Sequence, residues 1–264
     1  YVTAMGIFNR NERITNTQPV YRQEAWAARA TYSYALKYLL EVNLGYTGSE
    51  QFAPTNRFGF FPAYAIGWNL AEENFIKNNV PFLNKLKLRY SYGKTGSDKA
   101  VKTGSDRAAE RWLYENEGYT TYWRPSTYAL FGPTFGSEGT TLYSEGKIAN
   151  LYAQWEESVK QNFGIETAFF ERKLEFSFDL FKETRDKILM SPGSVPGFTN
   201  VEFKQLNLGK TKNHGFEFEL LYRNRTSWGM KYSSSLNFSF SENRVVFRDD
   251  PISLPDYQKN AGFP

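Results

Sequence analysis

The chain has 264 residues, a net charge of +4, one histidine and no cysteine, with 18% aromatic residues and a mean hydropathy of −0.58. Without cysteine there is no disulfide and no thiolate metal site, a single histidine makes no multi-histidine site, and so small and scattered a charge gives no case for a nucleic-acid partner. No run of about 18 apolar residues occurs, which excludes a transmembrane helix but not a transmembrane β-barrel, whose two alternating faces average out as polar.

In chain order, a weakly alternating stretch over 1–10 comes first. A clear period of two then begins, with Trp26, Ala28, Ala30, Tyr32 and Tyr34 set against Ala27, Arg29, Thr31 and Ser33. Tyr38, Leu40, Val42, Leu44 and Tyr46 follow, against Leu39, Glu41, Asn43 and Gly45. This predicts a strand with one apolar and one wet face. Tyr64, Ile66, Trp68 and Leu70 repeat the pattern, as do Leu86, Leu88, Tyr90 and Tyr92 against Lys85, Lys87, Arg89 and Ser91. A further strand is expected over 159–170. Leu174, Phe176, Phe178 and Leu180 stand against Glu175, Ser177 and Asp179, and Phe216, Phe218, Leu220 and Tyr222 against Glu217, Glu219 and Leu221. The last stretch sets Trp228, Met230, Tyr232, Leu236, Phe238 and Phe240 against Lys231, Ser233, Ser235, Asn237 and Ser239.

These add up to about nine strands, and their apolar faces end preferentially in Tyr, Trp or Phe. Strands of roughly 10 residues, tilted, match the hydrocarbon thickness of a bilayer, and aromatic ends suit its two interfaces. The links around Ala35–Leu36, 171–173 and 224–227 are short, whereas 48–57, 95–150, 187–210 and the stretch after Val245 are long. The two kinds alternate along the chain, with 71–84 as a medium member of the short class. An up-and-down membrane barrel has this asymmetry, and a Greek-key sandwich has no reason for it. Alternation alone is also compatible with a soluble β-sandwich that binds carbohydrate, whose apolar face meets a second sheet.

Within 95–150 the unit Lys-Thr-Gly-Ser-Asp occurs at Lys94–Asp98 and again at Lys102–Asp106, and a segment dense in aromatic residues, Gly and Pro follows. Trp112, Tyr114, Tyr119, Tyr122, Trp123 and Tyr128 are the candidates there for stacking on sugar rings or contacting a lid. One helical turn is expected over 72–78. His214 reads as a polar residue at a strand entrance. Gly93–Thr95 has the ending of a phosphate-binding loop but lacks the glycine five positions earlier. Glu156–Glu157 and Glu217/Glu219 are carboxylate neighbours, but glycosidase chemistry needs a separation that adjacency does not supply. No nucleophile–base set is recognisable, so no enzyme is expected.

Five stretches carry a resemblance: YSYALKYLLEVNLGYTGSEQF (32–52), RFGFFPAYAIGWNLAEENF (57–75), LNKLKLRYSYGKTGS (83–97), WEESVKQNFGIETAFFERKLEFSFDLFKETRDKIL (155–189) and NLGKTKNHGFEFEL (207–220). In order and spacing they resemble the SusC/RagA-like TonB-dependent transporters of the Gram-negative outer membrane. Thr47 and Ser97 depart from the usual Asp and Asn. The resemblance implies an all-β fold, an antiparallel up-and-down transmembrane barrel of roughly 22 strands around a plug. Residues 1–264 would be an internal segment of it, with the plug domain, the TonB box and the barrel ends outside. It further implies active import of glycan oligosaccharides or peptides, energised by TonB, with a SusD-like surface lipoprotein as partner and no cofactor. A siderophore or vitamin receptor is the alternative within the membrane class. On this reading Tyr38, Leu40, Val42, Leu44, Tyr46, Phe176, Phe178, Phe216 and Phe218 face lipid. Arg29, Glu41, Asn43, Lys85, Lys87, Arg89, Glu175, Asp179, Glu217 and Glu219 face the lumen.

Overall fold

A computed structural model describes residues 1–15, 18–99, 112–116, 118–125, 139–199 and 201–264. Nine strands form one sheet: β1 (Val2–Thr15), β2 (Gln18–Tyr34), β3 (Tyr38–Ser49), β4 (Phe58–Asn69), β5 (Leu83–Ser97), β8 (Glu156–Phe169), β9 (Leu174–Met190), β10 (Leu206–Arg225) and β11 (Lys231–Phe247). Each pairs antiparallel with its neighbour in the chain, β5 passing directly to β8. The remaining two strands, β6 (Tyr119–Pro125) and β7 (Gly139–Glu145), form a separate hairpin between them.

Register carries the alternation across the whole sheet. One row runs Tyr32–Leu40–Ile66–Tyr90–Phe163–Leu180–Phe216–Phe240, and the next Tyr34–Tyr38–Trp68–Leu88–Ile165–Phe178–Phe218–Phe238. Cross-strand partners share a face, so these side chains form one continuous apolar surface. Its rings stack across the strands, Phe218–Phe238 in register (5.6 Å between centroids) and Tyr46–Phe58 on the diagonal (5.0 Å). Many of its members are exposed, Ile66 at 55% and Phe238 at 50%. No second sheet covers them among the described residues, so the sandwich alternative finds no partner layer.

Three sequence expectations change. The segment 95–150 is not one irregular loop, because β6 and β7 pair within it; the β-branched pairs Thr120–Thr121 and Thr140–Thr141 favour the extended chain there. Several strands outrun their apolar band: β1 reaches Thr15, β9 Met190, and β10 begins at Leu206. Ladder bonding continues past the band, where the alternation of apolar and polar residues fades. His214 therefore sits within β10, opposite Lys182 and Glu242, and not at a strand entrance. The expected helical turn is present as α1 (Asn74–Lys77).

The turn over Ala35–Leu36 uses positive φ at both residues (50° and 58°), the geometry that suits a two-residue hairpin. Asn69 braces it, its amide nitrogen donating to the Leu36 carbonyl.

Candidate functional site

The face opposite the apolar rows is charged. Arg29 pairs in register with Asn43 and Thr31 with Glu41; a lower row runs Arg89–Gly164–Asp179–Glu217, and the next Lys87–Glu166–Ser177–Glu219. Lys85 and Glu175 share the row beyond, through Ala168. All the charged candidates named from the sequence thus lie on this one face. Tyr38, Leu40, Val42, Leu44, Tyr46, Phe176, Phe178, Phe216 and Phe218 lie on the other.

Charge pairing organises the polar face. Arg29 donates to Glu41 at 2.9 Å, and Asn43 donates to the other Glu41 oxygen at 2.8 Å. Arg89 reaches across β8 to donate to both Asp179 oxygens at 2.7 Å, and its Nε lies 3.1 Å from Glu166, which also takes Lys85. A glycine makes this crossing possible, because a Cβ on Gly164 would occupy the path of the Arg89 side chain. On the opposite face, past the end of the apolar rows, Glu157 is held between Lys94 and Lys187 at 2.8 and 2.9 Å. Glu217 and Glu219 have no ion pair or hydrogen bond among the described residues. Sequence reading missed Glu166 and Glu157 as counter-ions. The signal was there, since Glu166 falls in alternation within 159–170.

Glu156 and Glu157 do not make a carboxylate pair. Neighbours in a strand point to opposite faces, and Glu156 instead accepts the Leu189 backbone N–H at 2.8 Å.

At the long-loop end the chain builds a small core. Phe52, Leu113, Ala153, Trp155 and Leu189 are buried together, and Phe61 packs against them. Trp155 stands 5.3 Å from both Phe52 and Phe61 between ring centroids, and its indole N–H donates to the Arg57 carbonyl at 3.1 Å. Backbone bonds lace the loops: Leu113 N–H to Gln51 O, Asn150 N–H to Leu113 O, Ile148 N–H to Glu202 O and Lys204 N–H to Ile148 O. Asn207 closes the knot, its side chain bonded to both backbone groups of Gln154 and to the Lys187 carbonyl.

The aromatic loop candidates divide. Trp112 and Tyr114 flank buried Leu113 and are half-buried, and the Trp112 carbonyl accepts Lys204 Nζ at 3.0 Å. Tyr119, Tyr122 and Trp123 lie along β6, and their side chains are outside the described residues, as is Tyr128 altogether.

At the short-turn end, motif residues from separate stretches converge on Glu73. Lys37 Nζ donates to it at 3.0 Å, Tyr38 OH at 2.8 Å and Trp68 Nε1 at 3.2 Å. These bonds, that of Lys37 first, hold the Glu73 carboxyl below the usual carboxylate range. No cluster of metal-ligating side chains exists among the described residues.

A nine-stranded meander with one apolar and one charged face, whose two longest links, 98–155 and 191–205, leave the same end, is the wall of a transmembrane β-barrel. The chain belongs to the TonB dependent receptor-like β-barrel family, whose model matches residues 2–263. Curated relatives include TonB-dependent receptor P39 of Formosa agariphila, 31% identical over 83% of this chain and 19% of its own length. TonB-dependent receptor SusC of Bacteroides thetaiotaomicron is 29% identical over 84% of this chain and 20% of its own. The chain thus spans about a fifth of the length of these relatives. Among solved structures, the RagAB peptide importer in its closed-closed state superposes with a TM-score of 0.70, at 17% identity, over 93% of this chain and 25% of that one. The siderophore receptor PirA of Pseudomonas aeruginosa gives 0.51, at 14% identity, over 91% of this chain and 39% of that one. These structural likenesses establish the fold. The chain is therefore part of an outer-membrane barrel of SusC/RagA type, and its named relatives are receptors or transporters.

Proposed function

We propose that the chain is an internal section of the wall of an active importer of glycan oligosaccharides or peptides. Plug, TonB-contacting segment and remaining strands belong to other parts of the same protein. The observation that carries this reading is the division of one sheet into a face with a continuous apolar band and a charged face. The apolar face, with Leu40, Val42 and Phe216, lies against lipid. The charged face, with Arg29, Glu41, Lys85, Arg89, Asp179 and Glu217, borders the path of a polar solute. Substrate is captured at the long-loop end, where Trp112, Tyr114 and the β6–β7 hairpin with Tyr119, Tyr122 and Trp123 offer aromatic contacts, under a SusD-like lipoprotein. TonB supplies the work that opens the path.

The absence of cysteine from this chain makes the faces easy to test. In a full-length background free of other cysteines, Asn43→Cys and Glu219→Cys should react with a water-soluble maleimide. Val42→Cys and Phe218→Cys should react only with a lipophilic one. The reverse pattern sinks the assignment. Import is tested by uptake of labelled oligosaccharides and oligopeptides into cells with and without functional TonB. Accumulation that ignores TonB, or none of either class, refutes the importer reading.

A further inference from the structure

On the apolar face, the row that contains Leu40, Leu180 and Phe216 has a neighbour one step toward the long loops. That neighbouring row is apolar at Val42, Tyr64 and Tyr92. It then turns polar, as Gln161–Lys182–His214–Glu242. Strands of a membrane barrel tilt by about 35–45°, so a row climbs across the bilayer, and its polar end marks where the wall leaves hydrocarbon. One step further, the same strands carry Thr184, Lys212 and Arg244. Lys182, Lys212 and Arg244 are exposed, on the same face as Leu180, Phe216 and Phe240 and one or two rows beyond them.

Charge is not balanced there. Glu242 is the one carboxylate of these two rows over β8–β11; it is held by Arg244, and His214 lies 3.7 Å from it. Lys182 and Lys212 form no ion pair among the described residues. Lys212 and Arg244 are register partners, and like charges directly opposite destabilise a strand pair unless something neutralises them. Other cations at this rim are matched, Arg10 and Arg22 by Glu12 and Glu24, Lys94 and Lys187 by Glu157, and Lys210 by Asp186. At the short-turn rim the same face of β8–β11 carries Thr167, Leu174, Tyr222, Asn224, Tyr232 and Ser234, none of them charged.

The spacing points to a compact anion. Lys182 is opposite His214, two residues from Lys212, so the two lysines are diagonal neighbours at about 7–8 Å, and Arg244 stands at about 5 Å across from Lys212. Three cations so close converge on one phosphate, the guanidinium through paired donors and the lysines as mobile point charges. Position decides between a free phosphate and a lipid. Lys182 follows Leu180 by two residues, about 7 Å along β9. A lipid whose chains cover Leu180, Phe216 and Phe240 brings its headgroup onto the three cations and gains from both contacts; a free anion gains from charge alone.

We infer that Lys182, Lys212 and Arg244 bind the phosphate of a lipid of the outer leaflet, the leaflet on the long-loop side of the wall. The inference rests on the reading of the apolar face as lipid-facing.

The test uses the full-length protein, purified in mild detergent, and native mass spectrometry with monophosphoryl lipid A as the probe. The wild type should retain it about tenfold better than fully dephosphorylated lipid A, and retention should fall as salt rises. Lys182→Gln/Lys212→Gln should lower retention about tenfold or more. Lys160→Gln, on the opposite face of β8, should not change it. Assembly is checked by heat-modifiable migration; if the double variant does not assemble, the two lipids and the salt series in the wild type decide. Equal retention of the two lipids, indifference to salt, or indifference to the double variant overturns the inference. Displacement of the lipid by millimolar inorganic phosphate overturns it in favour of a free anion. Leu180→Cys, in a background free of other cysteines and in the native membrane, separates the two readings. Labelling by a water-soluble maleimide overturns the lipid-facing reading and the inference together. Labelling only by a lipophilic one upholds the face, and charge-blind retention then overturns the inference alone.

Discussion

Replacing Trp155 with Ala probes whether the long loops form a structural unit of their own. Trp155 is 6% exposed, its ring meets Phe52 and Phe61, and its N–H caps the Arg57 carbonyl. Truncating a buried Trp to Ala costs about 3–5 kcal/mol, cavity included. Trp155→Phe keeps a ring and loses chiefly the hydrogen bond, about 1 kcal/mol. The wall is held by ladder bonds that neither change touches, so the loss falls on the knot. At about 1.4 kcal/mol per factor of ten, Trp155→Ala raises the local opening constant by roughly two to three powers of ten. Hydrogen exchange reads this directly. The amides of Leu113, Ile148, Asn150 and Lys204, which lace the loops, should lose protection by that factor. Those of Val42 and Leu44 in β3 should not change, and Trp155→Phe should give a much smaller effect. Unchanged exchange in Trp155→Ala, or equal acceleration in β3, would refute the idea of an independent knot.

Gly96→Ala places a methyl group against the Phe61 ring. It should cost about 1–3 kcal/mol by overpacking, measured by denaturant unfolding in detergent, and Phe61→Leu should restore much of the loss. Arg89→Met strands Asp179; with Arg89 40% exposed, the cost of breaking a buried pair is discounted for solvent screening to about 1–2 kcal/mol. Gly164→Ala should cost a similar amount in the wild type and almost nothing beside Arg89→Met, because both act on the same crossing; additive losses would sink that account. For Glu73 the folded pKa is depressed, so its contribution is complete above the ordinary carboxylate range and drains away as pH falls through the folded value. Exchange of the α1 amides should accelerate in that acid window. Glu73→Gln should remove the pH dependence, and a persistent acid transition in that variant would point to another group.

Alternation was the most legible feature. Tyr38–Tyr46 and Phe216–Tyr222 announce their faces because period two is all that a membrane wall asks of a strand. Strand ends were less legible. Asn9–Thr15 and Leu206–Asn213 are strand without a sustained apolar stripe, since backbone pairing continues past the band that lipid covers. The β6–β7 hairpin was hidden for a related reason, its strands being short and its apolar residues clustered rather than alternating. The turn at Ala35–Leu36 carries no Asn-Gly or Asp-Gly signal; only the abrupt end of two strands marked it. The loop knot was illegible, because its core draws single residues from far-apart segments, and no local pattern connects Phe52 with Leu113, Trp155 and Leu189. The ion pairs were half visible: the face of Arg89 followed from alternation, but its choice of Asp179 and Glu166 depends on register across three strands.

Register is where the motif residues act. A slip of one residue is forbidden here, since it would turn every apolar side chain to the charged face. A slip of two residues preserves both faces, so alternation cannot exclude it. Specific bonds between strands can. Glu73 ties Lys37 and Tyr38 at the start of β3 to Trp68 near the end of β4. Trp155, just before β8, is tied to Arg57, just before β4. Arg89 spans β5, β8 and β9 through the gap at Gly164. Asn207 joins β10 to the segment leading into β8 and to Lys187 of β9. A two-residue slip moves a partner by about 7 Å, which breaks each of these bonds outright. The motif letters that look like scattered strand and turn residues thus supply the information that alternation lacks.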